Sequence, residues 1–361
     1  MRQRSDASIA WLFRLGAVVM ALLLTTLVLW AASTSPALAY RHLVLGAIGS
    51  WTKVADTLVA WVPLLLATSG LLITFSAGLW NIGIEGQIVL GAIFTTWALR
   101  LMQDSGWAPA LILVLAILAG ALGGALWAAL AGLLKTFGGV NEIFGGLGLD
   151  FVAMALTLWL IFGPWKRPGI GSMSGTEPFP RELWLPMVSG SRLSLWALGL
   201  GLLGAMVVYF LLQGTYYGLK LKAVGRNPKA AHLLGIPTQR MMMGAFLACG
   251  ALAGLAGAVQ VTAVYHRLIP AISSGYGWLG LMVAMLVNYQ AAWAPAVALF
   301  FAALNIGSIQ LPIVLKLDSS LSGVIQGTLV LSFLIMEGVR QWWEERRTAL
   351  QETQAHAGGE G

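Results

Sequence analysis

TLVAWVPLLLATSGLLITFSAGLWNIGIEGQIVLGAIFTTWALRL, Thr57 to Leu101, sets two long apolar runs on either side of a short polar break. Each run, Thr57 to Leu79 and Gly83 to Leu101, is close to the ~20 residues an α-helix needs to cross a ~30 Å hydrocarbon core. Neither run alternates with period two, so barrel strands are excluded, and helix is the state that satisfies its own backbone in lipid. The break, GLWNIGIEGQ (Gly78 to Gln87), leaves Asn81 between the runs and Glu85 and Gln87 inside the second. A charged side chain near the bilayer centre costs about 2.5–3.5 kcal/mol on insertion scales, so Glu85 is expected to face protein or water. Asn81 as a helix cap and Glu85 as an acid at the positive end of its helix dipole explain the pair structurally. Polar lining of a solute route explains them functionally, and the two readings are compatible.

The pattern recurs along the whole chain. Further apolar runs lie at Trp11 to Ala31, Ala108 to Leu134, Ile143 to Phe162, Leu193 to Leu212, Met241 to Val264, Tyr276 to Tyr289, Trp293 to Gln310 and Leu321 to Val339. The expectation is an all-α polytopic membrane protein of about ten spans, one domain over residues 1–345 and a polar tail over 346–361. Composition agrees: 58% of residues are hydrophobic and 10% charged, against about 25% charged in an ordinary soluble domain. The +7 balance does not point to nucleic acid, because Lys and Arg sit in short loops and at the ends of apolar runs. One cysteine, Cys249, in an apolar run offers neither a disulfide framework nor a cysteine metal cluster. HExxH, GxxxxGK[ST] and GxSxG are absent, so the chain carries no recognisable hydrolase or ATP-binding machinery, and no cofactor or metal is expected.

Charge orients the spans. With both termini inside, twelve of the 21 Lys and Arg face the cytoplasm, including Arg2, Arg4, Arg14, Lys135 and the cluster from Lys220 to Arg240. The start of the chain reads two ways. Trp11 and Trp30 bracket the first run as interfacial anchors, while Ala37-Leu38-Ala39 before Tyr40 resembles a signal-peptide cleavage site behind an apolar run longer than usual.

Small residues recur at four-residue spacing at Gly120, Gly124, Ala128 and Gly132, and again at Gly250, Gly254 and Ala258. Such ridges allow close backbone approach between helices. In GGVNEIFGGLGLD (Gly138 to Asp150), Asn141 is a plausible cap and Glu142 a first-turn acid. Asp150 lies about two turns into the span, where a carboxylate has to be paired, protonated or bathed by a cavity. Gln260, Asn288, Asn305 and Gln326 read first as interhelical hydrogen bonds and second as a polar route.

One basic stretch stands apart, GLKLKAVGRNPKAAHLLGIPTQR, Gly218 to Arg240. Asn227 suits an N-cap, Pro228 suits N1 and Gly235 the left-handed position after a helix, which predicts two turns over Pro228 to Leu234. Ala231 and Leu234 are expected on one face, with Leu233 beside them and Ile236 beyond the cap. So short a helix has to pack on something, either a soluble partner or its own bundle.

Together these residues resemble the membrane permeases of bacterial ABC importers for nucleosides and simple sugars, relatives of the branched-chain amino-acid permeases. The resemblance covers most of the chain after the first span. It is carried by NIGIEGQ, by GGVNEI with GPWKRPG (Gly163 to Gly169) after it, and by KAVGRNPKAAHLLGI followed by GALAGLAGA. Asp150 stands where relatives usually have an asparagine. The resemblance implies an inverted-repeat permease of ten helices in the bacterial inner membrane, paired with itself or a second permease. Its partners would be two cytosolic ATPase subunits and an extracytoplasmic solute-binding protein, received in part by the loop Gly163 to Arg192. Gly225, Arg226, Asn227, Pro228, Ala231, Leu234, Gly235 and Ile236 would couple to the ATPase. Asn81, Glu85, Gln87, Asn141, Glu142 and Asp150 would serve the translocation route. The alternative from another class is an ion-coupled secondary transporter using Glu85 and Asp150; an intramembrane enzyme lacks a nucleophile–base or metal-ligand constellation.

Overall fold

In this computed structural model the described residues are 16, 19–31, 34–169, 175–287 and 290–315, with short stretches between 323 and 346. Trp11 with the basic residues before Arg41, Asn288, Gln326, about half of the run Leu321 to Val339, and the tail beyond Arg346 lie outside them. Every regular element among the described residues is helical. In chain order they are α1 (Val19–Ala31), α2 (Pro36–Ile48), α3 (Trp51–Ser76), α4 (Ile84–Met102), α5 (Pro109–Thr136), α6 (Glu142–Phe162) and α7 (Leu195–Gly214). There follow α8 (Tyr216–Arg226), α9 (Pro228–Leu233), α10 (Thr238–Val259), α11 (Tyr276–Leu286), α12 (Ala294–Ser308) and α13 (Gln310–Leu315). Six helical stretches among the described residues are long and apolar enough to cross a membrane: Trp51–Ser76, Pro109–Thr136, Glu142–Phe162, Leu195–Gly214, Thr238–Tyr265 and Ala291–Leu315. α4 has 19 residues but carries Glu85, Gln87 and Arg100 and is not among the six.

Two helices were not expected from the apolar runs. α2 has 13 residues, too few to register as a span. α8, YYGLKLKAVGR, buries Gly218, Leu221 and Val224 at three-residue intervals, with Lys220 and Lys222 half-buried at the flanks of that stripe. Its low apolar content hid a helical period in what reads as a loop.

Contacts divide the chain into two compact units, Ile48–Ala303 and the pair of segments Met1–Ala47 and Leu304–Gly361. In the larger unit α3 is the enclosed helix. Its apolar window is 83% buried, against 28% for α6 and α7, so the latter present a broad face to lipid or to another chain. The small-residue ridges pack as expected and do so on each other. A Cβ built on Gly124 would meet the backbone of Gly250 and Gly254, one on Gly250 would meet Ala128 and Gly124, and one on Gly91 of α4 would meet Gly254. α4, α5 and α10 therefore meet backbone to backbone.

In the smaller unit, Tyr40 Oη donates to the Leu22 carbonyl at 2.9 Å and lies 3.1 Å from Thr26 Oγ1, tying α2 to α1. The Ala37-Leu38-Ala39 stretch is helical there, with Ala39 buried.

Candidate functional site

The break between α3 and α4 folds into a joint closed by its own side chains. α3 stops because Gly78 takes φ +72°, with its N–H on Phe75 O at 2.9 Å and Leu79 N–H on Thr74 O at 3.0 Å. Asn81 and Gln87 then pair reciprocally. Asn81 Nδ2 donates to Gln87 Oε1 at 3.0 Å, and Gln87 Nε2 donates to Asn81 Oδ1 at 2.9 Å. Asn81 Nδ2 also reaches Cys249 Sγ of α10 at 3.1 Å. Both amides are buried, and their main hydrogen-bonding capacity is taken up inside the chain.

Asn81 is not the cap of α4. That position is Gly83, which has no side chain to cap with. Asp150 of α6 does the capping: its Oδ1 accepts the Gly86 N–H at 2.7 Å, satisfying one of the orphan donors of the first turn. Gly146, one turn earlier on the same face, makes this approach possible, since a Cβ there would lie 2.6 Å from Gly83 N. Within the glycine-rich run before Asp150 it is Gly146 that supplies backbone clearance; a Cβ on Gly148 would meet nothing within 4 Å.

Glu85 faces protein, as its position in the span requires. It is 1% exposed, and its Oε2 accepts the Gly277 N–H at the start of α11 at 3.3 Å. Ser273 and the Trp278 N–H complete its surroundings. Glu85 sits in the first turn of its own helix yet supplies the hydrogen-bond acceptor for the N-terminus of another. Asp150, Glu85 and α11 form a relay of caps: α6 holds α4, and α4 holds α11.

Asn141 and Glu142 sit at the start of α6. Asn141 Oδ1 accepts the Ile143 N–H at 2.9 Å as the N-cap of α6, and Glu142 pairs with Lys135 at the end of α5. Asn141 thus closes the α5–α6 turn, while Glu142 also accepts the Trp80 N–H and so reaches the edge of the α3–α4 break. Gln260 bonds the loop after α10, its Nε2 donating to Ile272 O at 3.1 Å, as the packing reading expects.

The second site is the elbow of α8 and α9. Asn227 Oδ1 accepts the Ala230 N–H at 3.0 Å, Pro228 occupies N1 and Gly235 takes φ +80°. Gly235 N–H reaches His232 O at 2.9 Å and Ile236 N–H reaches Ala231 O at 3.0 Å, closing the helix as its residues predict. The shared face does not hold. Ala231 is 2% exposed, covered by its own chain, while Leu233 and Leu234 are 86% and 80% exposed. α9 packs on α8 and α10 through its small residue, and the cap turns the two leucines away. The elbow touches the joint directly: a Cβ on Gly225 would meet Ser76 O and Gly78 N, and one on Gly78 would meet Gly225 O. Nothing in the spacing of residues revealed this contact or the parts played by Cys249, Gly146 and Gly277. Two glycines at matching breaks are the one trace of it in the sequence.

A family model described as "Branched-chain amino acid transport system / permease component" matches residues 53–334. The glucose ABC transporter permease protein TsgB13 of Haloferax volcanii is 30% identical over 335 residues, covering 90% of this chain and 87% of that protein. The guanosine ABC transporter permease protein NupP of Bacillus subtilis is 26% identical over 319 residues, with 87% and 90% covered. The nucleoside ABC transporter permease protein NupB of Lactococcus lactis is 25% identical over 302 residues, with 81% and 82% covered.

Proposed function

This chain belongs to the branched-chain amino acid transport system permease family, and we propose that it carries a nucleoside, or else a simple sugar, through the membrane part of an ATP-driven importer. It is an ABC permease, integral to the inner membrane and multi-pass. On this reading residues 1–345 form one permease domain of ten spans in an inverted repeat, with both termini and the elbow of α8 and α9 in the cytoplasm. Two cytosolic ATPase subunits, a second permease and an extracytoplasmic solute-binding protein complete the assembly.

The observation that carries the reading is the elbow. Two leucines stand exposed on a capped helix among Arg226 and Lys229, and the same elbow rests backbone to backbone on the α3–α4 joint. An apolar pair on a rigid mount suits a groove in a partner, and movement of that mount displaces the joint without an intervening flexible linker. Asn81, Glu85, Gln87 and Asp150 then act as the hinge that orients the route; solute passes beside it, at the face between two permeases. The ion-coupled reading is not favoured, since one oxygen of each of its carboxylates is engaged as a cap of a neighbouring helix.

The test is uptake by the reconstituted complex, offered labelled guanosine, other nucleosides and glucose. Saturable, ATP-dependent uptake of nucleosides is expected. Uptake of neither class with ATP present contradicts the proposal.

A further inference from the structure

α10 does not finish as an α-helix. Its end widens into a π-helical turn, Gln260–Tyr265, and stops at His266, whose φ is +55°. A π turn and a left-handed non-glycine residue both persist only where the surroundings hold them. The carbonyls released there need donors, and the loop 175–193 brings them. Leu185 N–H donates to Thr262 O at 3.0 Å, Arg192 Nη2 to Val264 O at 3.2 Å, Phe179 N–H to His266 O at 2.9 Å and Thr176 N–H to Leu268 O at 2.9 Å. Every second carbonyl from 262 to 268 is taken. The Trp184 ring lies flat on His266, centroids 3.7 Å apart and planes 8° apart, and its Nε1 donates to Phe179 O at 2.8 Å.

The far side of this segment is bound to the turn that leads into α11. Gln260 Nε2 donates to Ile272 O at 3.1 Å and to Ser274 Oγ at 3.3 Å, and Tyr265 Oη lies 3.0 Å from Ser274 Oγ. Ser274 and Gly275 both have positive φ, 53° and 74°, and the helix that starts after them presents Gly277 to Glu85. There is no slack at that contact: a Cβ on Gly277 would lie 3.0 Å from Glu85 Cγ, N and Oε2.

We propose that Trp184 and His266 are positioning residues for Glu85: the strap laid by loop 175–193 over the π-helical end of α10 fixes the N-terminus of α11, so a displacement of that loop reaches the polar joint. The linkage is independent of the permease reading, and only its use in transport rests on that reading.

Hydrogen exchange of the full chain in lipid nanodiscs tests the linkage. Trp184→Ala is expected to speed exchange about tenfold in 176–193 and 262–268 and also in 272–280, whereas Trp184→Phe, which keeps a ring on His266, stays near wild type. Acceleration confined to 176–193 and 262–268 overturns the proposal, as does a phenylalanine variant as disturbed as the alanine one. Should Trp184→Ala unfold, with fast exchange throughout α3, Arg192→Ala replaces it. That exposed residue loses one bond to Val264 O, and about two- to threefold acceleration is expected at both 262–268 and 272–280. No change at 272–280 while 262–268 accelerates overturns the linkage. In the reconstituted complex, Trp184→Ala is expected to lower ATP-driven uptake about tenfold, with Trp184→Phe restoring most of it. Wild-type uptake that needs no ATP removes the permease reading and leaves the exchange result standing; ATP-driven uptake with 272–280 unmoved removes the linkage alone.

Discussion

At the first turn of α4 the chain buries two carboxylates and two amides, and at the tip of α9 it leaves two leucines 86% and 80% exposed. Each is the reverse of what its surroundings favour, and the reversals differ in kind. The buried polar groups pair with one another or cap a neighbouring helix, and of the two carboxylates and two amides only Asp150 Oδ2 is left without a partner. The leucines have no cover from the chain that presents them. Gly225 against Gly78 brings the two into contact, the route by which, on the proposed reading, a load applied to α9 would enter the bundle.

The largest effect is expected inside the joint. Glu85→Ala leaves the first N–H groups of α11 without an acceptor in an apolar interior, about 1–3 kcal/mol for each, and uptake should fall about a hundredfold while insertion is kept. Glu85→Gln retains an acceptor and should keep a tenth or more of the activity. Equal loss in both variants would show that charge, and not capping, is what the position supplies.

The elbow comes next. Leu234→Asp should alter the stability of the chain by no more than about 0.5 kcal/mol, since the side chain is exposed, yet weaken co-purification with the ATPase about tenfold. Ala231→Glu should do the opposite, lowering the chain's own thermal midpoint, because its site is covered from within and an unpaired charge there costs several kcal/mol. If the two variants behave alike, the division of α9 into an inner and an outer face is wrong. Asn227→Ala removes the cap of α9, about 1 kcal/mol, and should reduce ATPase stimulation by a few-fold only.

The smallest effect belongs to His266. Burial, with the Arg192 charge adding to it, pushes its imidazole down from 6.5 to about 4. A depressed histidine favours the neutral folded form, so its contribution is complete above 6.5 and fades as pH falls toward 4. The thermal midpoint of the wild type should therefore drop between pH 6.5 and pH 4 by more than that of His266→Phe, and the two should run parallel above pH 7. Equal pH dependence would remove His266 from the strap's stability.

Much of the architecture was legible because lipid allows so few solutions: long apolar runs are helices, and small residues spaced by four are places where helices meet. The caps of α9 were legible too, since Asn227, Pro228 and Gly235 act within one turn of their own positions. What stayed hidden acts at long range. Asn81 has the composition of a cap and bonds Gln87 and Cys249 instead, because Asp150, 64 positions from Gly86, reaches the cap site first. The outward face of α9 was misjudged at Ala231 because helical spacing says which residues share a side and says nothing of which side the rest of the fold covers.

The most direct test of the central claim, a self-contained joint driven from α9, is solute uptake into vesicles that hold the permease with its ATPase, with and without ATP and a protonophore. The account predicts uptake that needs ATP, ignores the protonophore and falls about tenfold in Leu234→Asp while the variant remains folded. Uptake that continues without the ATPase, collapses with the protonophore and is unchanged in Leu234→Asp would contradict it.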